Sequence, residues 1–578
     1  MSEPDPLPTP PHNDGSSPGD SDLPGPPRRL RVVAGIAAVA VAVAAAAGFL
    51  ELRAFHGSAD AVVSMVPGDT ALYVTVNLDP PGGQKLAVAS LFNKFPALSD
   101  QKRSATVNAW LDTAFSSTGL KHDDITPWVG SELSVAMPAS AISPVAFGGG
   151  GATSRQPDVS VLVASKDDAK AQVALDKFKN GPTSRASRWT TSVFDGVTVT
   201  TGGGTGSGTY AITNHTVILA STRAAVDAVI DTTQGKRASL QSSSRYRTVE
   251  SQLPADRLGL IYMDIPAFVN GVASSLPSIP GVQTQLSAAR AYGGFGAALV
   301  ASTDGVALDG TENFDASKLT PAQRTQLGAA PHANGSLAFV PKTAFGFLAL
   351  TGLQQTLTSV LQTVSPTGSA IDATLQQLGV TGSAGIIGHL SGDAAIEVNQ
   401  APGQATPAGA LVFDTNSTSA AQSFLDHLMS SVCVQSSVCD PSQITTQLDA
   451  GVKISSVPLA AAPGTGIAPS WAVSNGWAII ATGPAEVRAM LASHASGSNI
   501  STSPGYTAVT SHVGTSNNGM FYVDVPSVLT AIRTVLPADA QASFDRSVAP
   551  SLGHLGAVAF SSRNASDHMT FTVFVQVR

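Results

Sequence analysis

Charged side chains are scarce in this sequence, 12% of 578 residues, and the formal net charge is −8 with no stripe of lysine or arginine anywhere along the chain. That excludes a nucleic-acid-binding surface, which needs clustered positive charge to neutralise phosphates. Two cysteines are too few for a thiolate zinc site, and the eleven histidines are scattered with no two-ligand spacing. There is no G-x-S-x-G elbow, no S-x-x-K and no H-E-x-x-H. The glycine runs at Gly148–Gly151 and Gly202–Gly208 lack the Lys-Ser/Thr ending of a phosphate-binding loop and read as hairpin connections. No catalytic constellation, cofactor site or metal site is visible.

What is present is apolar and repetitive. Hydrophobic residues make up 43% of the chain, and its length, at about 150 residues per domain, allows several units with sizeable cores. Richness in Ala, Gly, Ser, Thr and Val with few lysines fits an extracytoplasmic bacterial protein. The stretch Leu260-Ile-Tyr-Met-Asp-Ile-Pro266 returns as Met520-Phe-Tyr-Val-Asp-Val-Pro526, 260 positions later. In both copies a strand ends on an aspartate, Asp264 or Asp524, that can cap the helix opened by Pro266 or Pro526. Neither aspartate has a histidine or second acid at ligand spacing, so a metal-binding reading is rejected.

Further segments keep the same order. Val161–Phe178 aligns without gaps to Leu411–Leu428, with Ala171, Leu175 and Phe178 on a helical stripe matched by Ala421, Leu425 and Leu428. Trp128–Val135 corresponds to His389–Ile396, and Tyr210–Ala220 to Trp471–Ala481. Two large copies indicate a duplicated domain and not a short-period solenoid. Glu132 and Asp393 fall at equivalent places and are weak candidates for a shared site; a turn or edge-strand acid is the plainer reading.

The amino terminus is different in kind. Residues 1–27 hold nine prolines and almost no apolar side chain, which predicts a disordered, cytoplasmic tail. Arg28, Arg29 and Arg31 precede an uncharged run from Val32 to Leu50, which as a helix reaches about 28 Å, enough for a bilayer core. The flanking charges place the tail inside and everything after residue 52 outside the membrane. Residues 28–52 thus read as a transmembrane signal anchor; a signal peptide cleaved at Ala45-Ala46-Ala47 is the rival reading.

Beyond a linker at residues 53–64, period-two alternation sets in. Leu72, Val74, Val76 and Leu78 are expected to face a core, with Tyr73, Thr75 and Asn77 outward; Phe571, Val573, Val575 and Val577 are expected inward, with Thr570, Thr572 and Gln576 outward. Such alternation suits antiparallel sheets covered on one side. Cys433 and Cys439 form a close pair in what would be an oxidising compartment, so a disulfide is expected, worth about 2 kcal/mol. Its absence from the first copy means that the shared fold does not depend on it.

The apolar amino-terminal segment, the Val66-Pro-Gly-Asp-Thr-Ala-Leu-Tyr-Val-Thr-Val-Asn-Leu-Asp-Pro80 opening and Lys94-Phe-Pro96 resemble actinobacterial membrane proteins grouped as domain of unknown function 3352. The resemblance implies a similar topology and brings no activity and no functional residue.

The expected architecture is therefore α+β: a transmembrane helix, then two tandem homologous domains, residues 65–330 and 331–578, with mainly antiparallel sheets covered by helices and opening on ferredoxin-like βαββαβ elements. The expected function is a single-pass, membrane-anchored envelope protein whose ectodomain binds or scaffolds without catalysis. The membrane, held through residues 32–50, and an envelope protein or lipid would be its partners. Carriage of a lipid or other apolar ligand, and an unrecognised envelope hydrolase, are the alternatives. Nothing in the sequence fixes oligomeric state.

Overall fold

In a computed structural model the period-two segments become strands. The structure describes residues 62–95, 118–146, 157–181, 188–203, 208–273, 289–364, 370–381, 385–400, 407–436, 438–459 and 467–578, with a few isolated positions between them. The tail at 1–27, the apolar run at 32–50 and nearly all of the 53–64 linker lie outside the described residues. At its end the linker is already core: Val62 and Val63 are buried.

The first half contributes β1 (Thr70–Asn77), β2 (Val129–Pro138), β3 (Ser160–Ser165), β4 (Arg188–Phe194), β5 (Val197–Gly203), β6 (Thr209–Thr213), β7 (Thr216–Ala220), β8 (Gly259–Asp264), β9 (Tyr292–Ser302) and β10 (Gly305–Phe314). The second contributes β11 (His332–Ala333), β12 (Ala344–Leu350), β13 (Leu390–Asn399), β14 (Ala408–Thr415), β15 (Thr445–Asp449), β16 (Val452–Ser456), β17 (Ser470–Ser474), β18 (Trp477–Ala481), β19 (Ser516–Asn517), β20 (Gly519–Asp524), β21 (Leu555–Asn564) and β22 (His568–Val577).

Among the described residues, twenty of these strands pair into one antiparallel sheet, and β11 with β19 forms a two-stranded ribbon. In the first half the neighbours run β4-β5-β6-β7-β3-β2-β1-β8-β9-β10. In the second they run β15-β16-β17-β18-β14-β13-β12-β20-β21-β22, the same plan. The last strands of the two halves, β10 and β22, pair through nine residues from Gly305 opposite Gln576 to Asn313 opposite His568.

This corrects the expected architecture in three respects. The halves do not carry separate sheets, because β10 and β22 fuse them into one. The chain does not open on a ferredoxin-like βαββαβ unit: β1 and β2, although a helix lies between them in the chain, hydrogen-bond to each other directly and antiparallel, with no βαβ crossover between them. And among the described residues, which begin after the apolar run, no helix is long and apolar enough to cross a membrane, so the described fold opens on the 3₁₀ segment Val62–Met65 and not on a transmembrane helix. The α+β character fits in part, as one large antiparallel sheet with helices.

The sheet faces also differ from expectation. On β1 it is Tyr73, Thr75 and Asn77 that are buried, while Leu72, Val74 and Val76 are only partly covered. On β22 Phe574 is fully buried and shares its face with Thr572 and Gln576; of the four residues expected inward Val577 is buried, and Phe571, Val573 and Val575 are only partly covered. The parity of the pattern is as expected and its sense is reversed. The reason is that the helices pack over aromatic residues: Tyr73 meets Tyr246 edge-on and Tyr246 meets Tyr262, and in the second half Phe347, Tyr506 and Tyr522 form the matching trio. Glycine admits this packing. A Cβ on Gly296 would lie 2.2 Å from Val249 of the overlying helix.

Candidate functional site

Turning the aromatic face inward leaves the aliphatic face open over the central strands of the sheet, while the helices Asp168–Lys179 and Thr418–Ser436 pack on its outer parts. Directly paired positions place Leu411, Ile396, Leu348, Phe521, Phe560, Val573, Leu308 and Leu299 in one row across eight neighbouring strands, β14 to β9, crossing the seam between halves. At about 4.8 Å per strand the row spans about 34 Å. Ile396 is 52% exposed, and Leu348, Phe521 and Leu299 about 40% each. Phe571 stacks between Phe295 and Phe560 beside the row, over Gly310, where a Cβ would stand 2.0 Å from its ring. At one edge the helix Gly82–Asn93 covers Ala301 and Val306.

Along this row the surface deepens into a groove of about 580 Å³, floored by Leu348, Leu350, Phe560 and Met569. One wall is Thr325, Gln326 and Leu327 of the helix Pro321–Leu327; the other is Gln355 and Thr356 of the helix Leu353–Val364, with Ser391 and Gly392 at the start of β13. The junction between the halves makes the rim, stitched down by Asn518 Nδ2 to the Ala329 carbonyl and Asn564 Nδ2 to the Gln326 carbonyl. Volume and apolar lining are those of a small-ligand site.

His332 lines the groove and ties it to Asp393. Its Nε2 lies 2.8 Å from Asp393 Oδ1, and its Nδ1 faces the Ala330 carbonyl at 3.4 Å. With an acceptor at each nitrogen the ring is suited to its doubly protonated form. Burial opposes that charge, but the hydrogen bond and negative charge of Asp393 outweigh it and raise the His332 pKa. The second oxygen of Asp393 accepts the Gly335 N–H at 2.6 Å.

The other expected residues are placed as follows. Glu132 is fully buried and accepts from the Val62 N–H, Tyr73 Oη, Thr75 Oγ1 and Ser134 Oγ at 2.9–3.2 Å. It lies in the first half, remote in the sheet order from the groove, so the two acids are not brought together. Both hold the short 3₁₀ segment at the start of their own half, Val62–Met65 or Gly335–Ala338. Asp264 accepts the Ala267 N–H and Asp524 the Ser527 N–H, each at 2.9 Å, at helices containing Pro266 and Pro526. Cys433 and Cys439 are joined in a disulfide, buried against Leu425, Met429 and Trp471. Among the described residues no group of three or more His, Cys, Asp or Glu is arranged to hold a metal. Sequence reasoning missed the groove and His332, since the lining comes from segments some 240 residues apart and the alternation of the strands does not say which face the helices cover.

The family model described as protein of unknown function (DUF3352) matches residues 31–577. The chain belongs to DUF3352. Among curated proteins none matches this DUF3352 chain. Among solved structures it is similar to TP0453 in crystal form IV, at 9% identity and TM-score 0.23 over 43% of this chain and 79% of that one. Crystal form I of TP0453 gives 11% identity and TM-score 0.22 over 43% and 77%. Superposition at that level carries no argument about the DUF3352 fold or function.

Proposed function

We propose that this DUF3352 protein is a non-catalytic binding protein of the extracytoplasmic envelope that holds the acyl chain of a lipid along the open face of its sheet. The observation that carries the reading is the continuous aliphatic and aromatic row leading into the groove, on a face that the helices cover only toward its two ends. Apolar area of this extent on one surface marks a site of interaction. The Cys433–Cys439 disulfide supports an oxidising compartment. His332 supports binding over catalysis, because its two nitrogens face a carboxylate and a backbone carbonyl and not a hydroxyl nucleophile.

The test is native mass spectrometry of the protein isolated from its own host, together with titration of a fluorescent acyl probe. Wild type should retain lipid and bind the probe. Leu348→Gln, with unchanged circular dichroism, should weaken binding about tenfold or more through loss of one apolar side chain from the floor. Equal probe affinity in the two proteins would remove the groove from the mechanism, and no lipid and no probe binding would remove the reading.

A further inference from the structure

Near the end of β13, on the face opposite Ile396 and Val398, a glutamate enters the core of the second half. Glu397 has 0% of its surface exposed, lies between Phe347 of β12 and Ala410 of β14, and neither of its carboxyl oxygens has a hydrogen-bond donor. Glu486, also buried, comes to the same face of β13 from the first turn of the helix Pro484–Ser496, where it is held by Asn399, two residues beyond Glu397. Asn399, on the same face of β13, donates Nδ2 to both oxygens of Glu486 at 3.2 and 3.3 Å, while its own Oδ1 has no donor. The cluster is thus almost all acceptor, and two ionised carboxylates there would repel across a medium of low dielectric.

The first half provides an internal comparison. With the registration of Trp128–Val135 on His389–Ile396 and Tyr210–Ala220 on Trp471–Ala481, Glu397 corresponds to Ala136 and Glu486 to Ala225, both buried in the first core. The fold is therefore compatible with alanine at both places, and the acids come as a pair in one half only.

We infer that Glu397 and Glu486 share a single proton, and that this proton locks β13 to the helix Pro484–Ser496, making the second half a proton-dependent unit. A carboxylic acid donating to a carboxylate supplies the missing donor with the atoms already present; on opening, the proton passes to solvent and both groups become anions. The other titratable groups facing this core are Tyr506 and Tyr522, with His494 stacked on Phe339 and His512 stacked on Phe574 at its margins. Arg488 of the same helix points away to Gln447 and Asp449 of β15. The one buried basic side chain among the described residues, Arg257, belongs to the first half. No cation is at hand to neutralise the pair.

Burial first, then the charge and hydrogen bond of Glu486, raise the Glu397 pKa far above its ordinary value. The folded chain then keeps a proton that the unfolded chain releases above about pH 4.5. Stability from the lock is full below that value and declines as pH rises toward the raised pKa, at up to about tenfold in the folding constant per pH unit. The same strand supplies Ile396 to the open face and Ser391 to the groove, but the inference does not depend on what binds there.

The experiment is urea unfolding of the full chain at pH 5, 7 and 9, with calcium and with EDTA, for wild type, Glu397→Gln and the double substitution Glu397→Ala, Glu486→Ala. Infrared spectra of the folded proteins near neutral pH accompany it. Wild type should lose stability with rising pH, Glu397→Gln should lose most of that dependence because its amide donates without titrating, and a neutral carboxyl band in wild type should vanish in the variant. The double substitution, which copies the first half, should also be flat and serves if the single variant does not fold. Equal pH slopes in wild type and variants, or no neutral carboxyl band, would overturn the inference. So would stabilisation by calcium that EDTA abolishes, since a metal ion and not a proton would then bridge the pair.

Discussion

Glu132 and Asp393 show how one position can carry the same duty under different solvation. Each holds the first N–H groups of its half, but Glu132 is sealed among three hydroxyls and a backbone N–H, whereas Asp393 leans on a half-exposed histidine. Glu132→Ala leaves those donors buried without an acceptor, so it should destabilise by about 2–4 kcal/mol, read as a lowered urea midpoint with unchanged slope. At the second position the effect is small and depends on pH. Because Asp393 raises the His332 pKa, the pair contributes fully below about pH 6.5 and fades as pH climbs through the raised value. With the imidazole 52% exposed the contribution stays under about 1 kcal/mol. His332→Gln should lower Tm by about 1–2 °C at pH 5.5, and the gap from wild type should close at pH 8.5. The two acids were legible in the sequence as a matched pair. Their partners were not, because Val62 and Gly335 are brought to them only by the way each half closes on its own first segment.

At the level of strands and helices, alternation told which side chains share a face, and the structure decides which face is covered. Tyr73, Tyr262 and Tyr522 carry enough apolar ring to serve as core, so a strand of Leu and Val alternating with Tyr and Thr is ambiguous until helices choose a side. The helices chose the rings. Glycine is part of that choice: Gly296 admits the helix bearing Val249 on one face, and Gly310 lets Phe571 lie flat on the other. The Asp-x-Pro caps were legible because capping is local, involving Asp524 and the Ser527 N–H three residues on. The disulfide was legible for the same reason. It closes a short loop after the helix Thr418–Ser436, with Cα atoms 4.7 Å apart, so paired Cys433→Ser and Cys439→Ser substitutions should cost about 2 kcal/mol and leave the first half unaltered. Loss of protection against hydrogen exchange across the whole first half would contradict that local role.

For the whole molecule the decisive element is the seam, and nothing periodic in the sequence announces it, because β10 and β22 are ordinary strands whose free edges happen to be complementary. Several contacts follow from their pairing. Lys94 donates to the Val577 carbonyl at 2.6 Å, Phe95 packs on the His554 ring at 4.9 Å, and His512 of the second half reaches Asp304 at the β9–β10 turn of the first at 3.0 Å. The Lys94-Phe-Pro96 motif, read in the sequence only as a family resemblance, thus has its first two residues gripping the far end of the chain. Each half alone would present a ten-residue edge strand with unpaired N–H and C=O groups, a template for association with another chain. Val573 is paired on both sides, with Leu308 in β10 and Phe560 in β21. Val573→Pro removes a ladder donor from a central strand, at a cost of about 3 kcal/mol or more. If the seam is what makes the two halves one body, that substitution should split a single unfolding transition into two and bring on concentration-dependent association, followed by calorimetry and sedimentation. A variant that still unfolds in one step as a monomer would place the coupling elsewhere, in the Lys94 and His512 contacts that flank the strands.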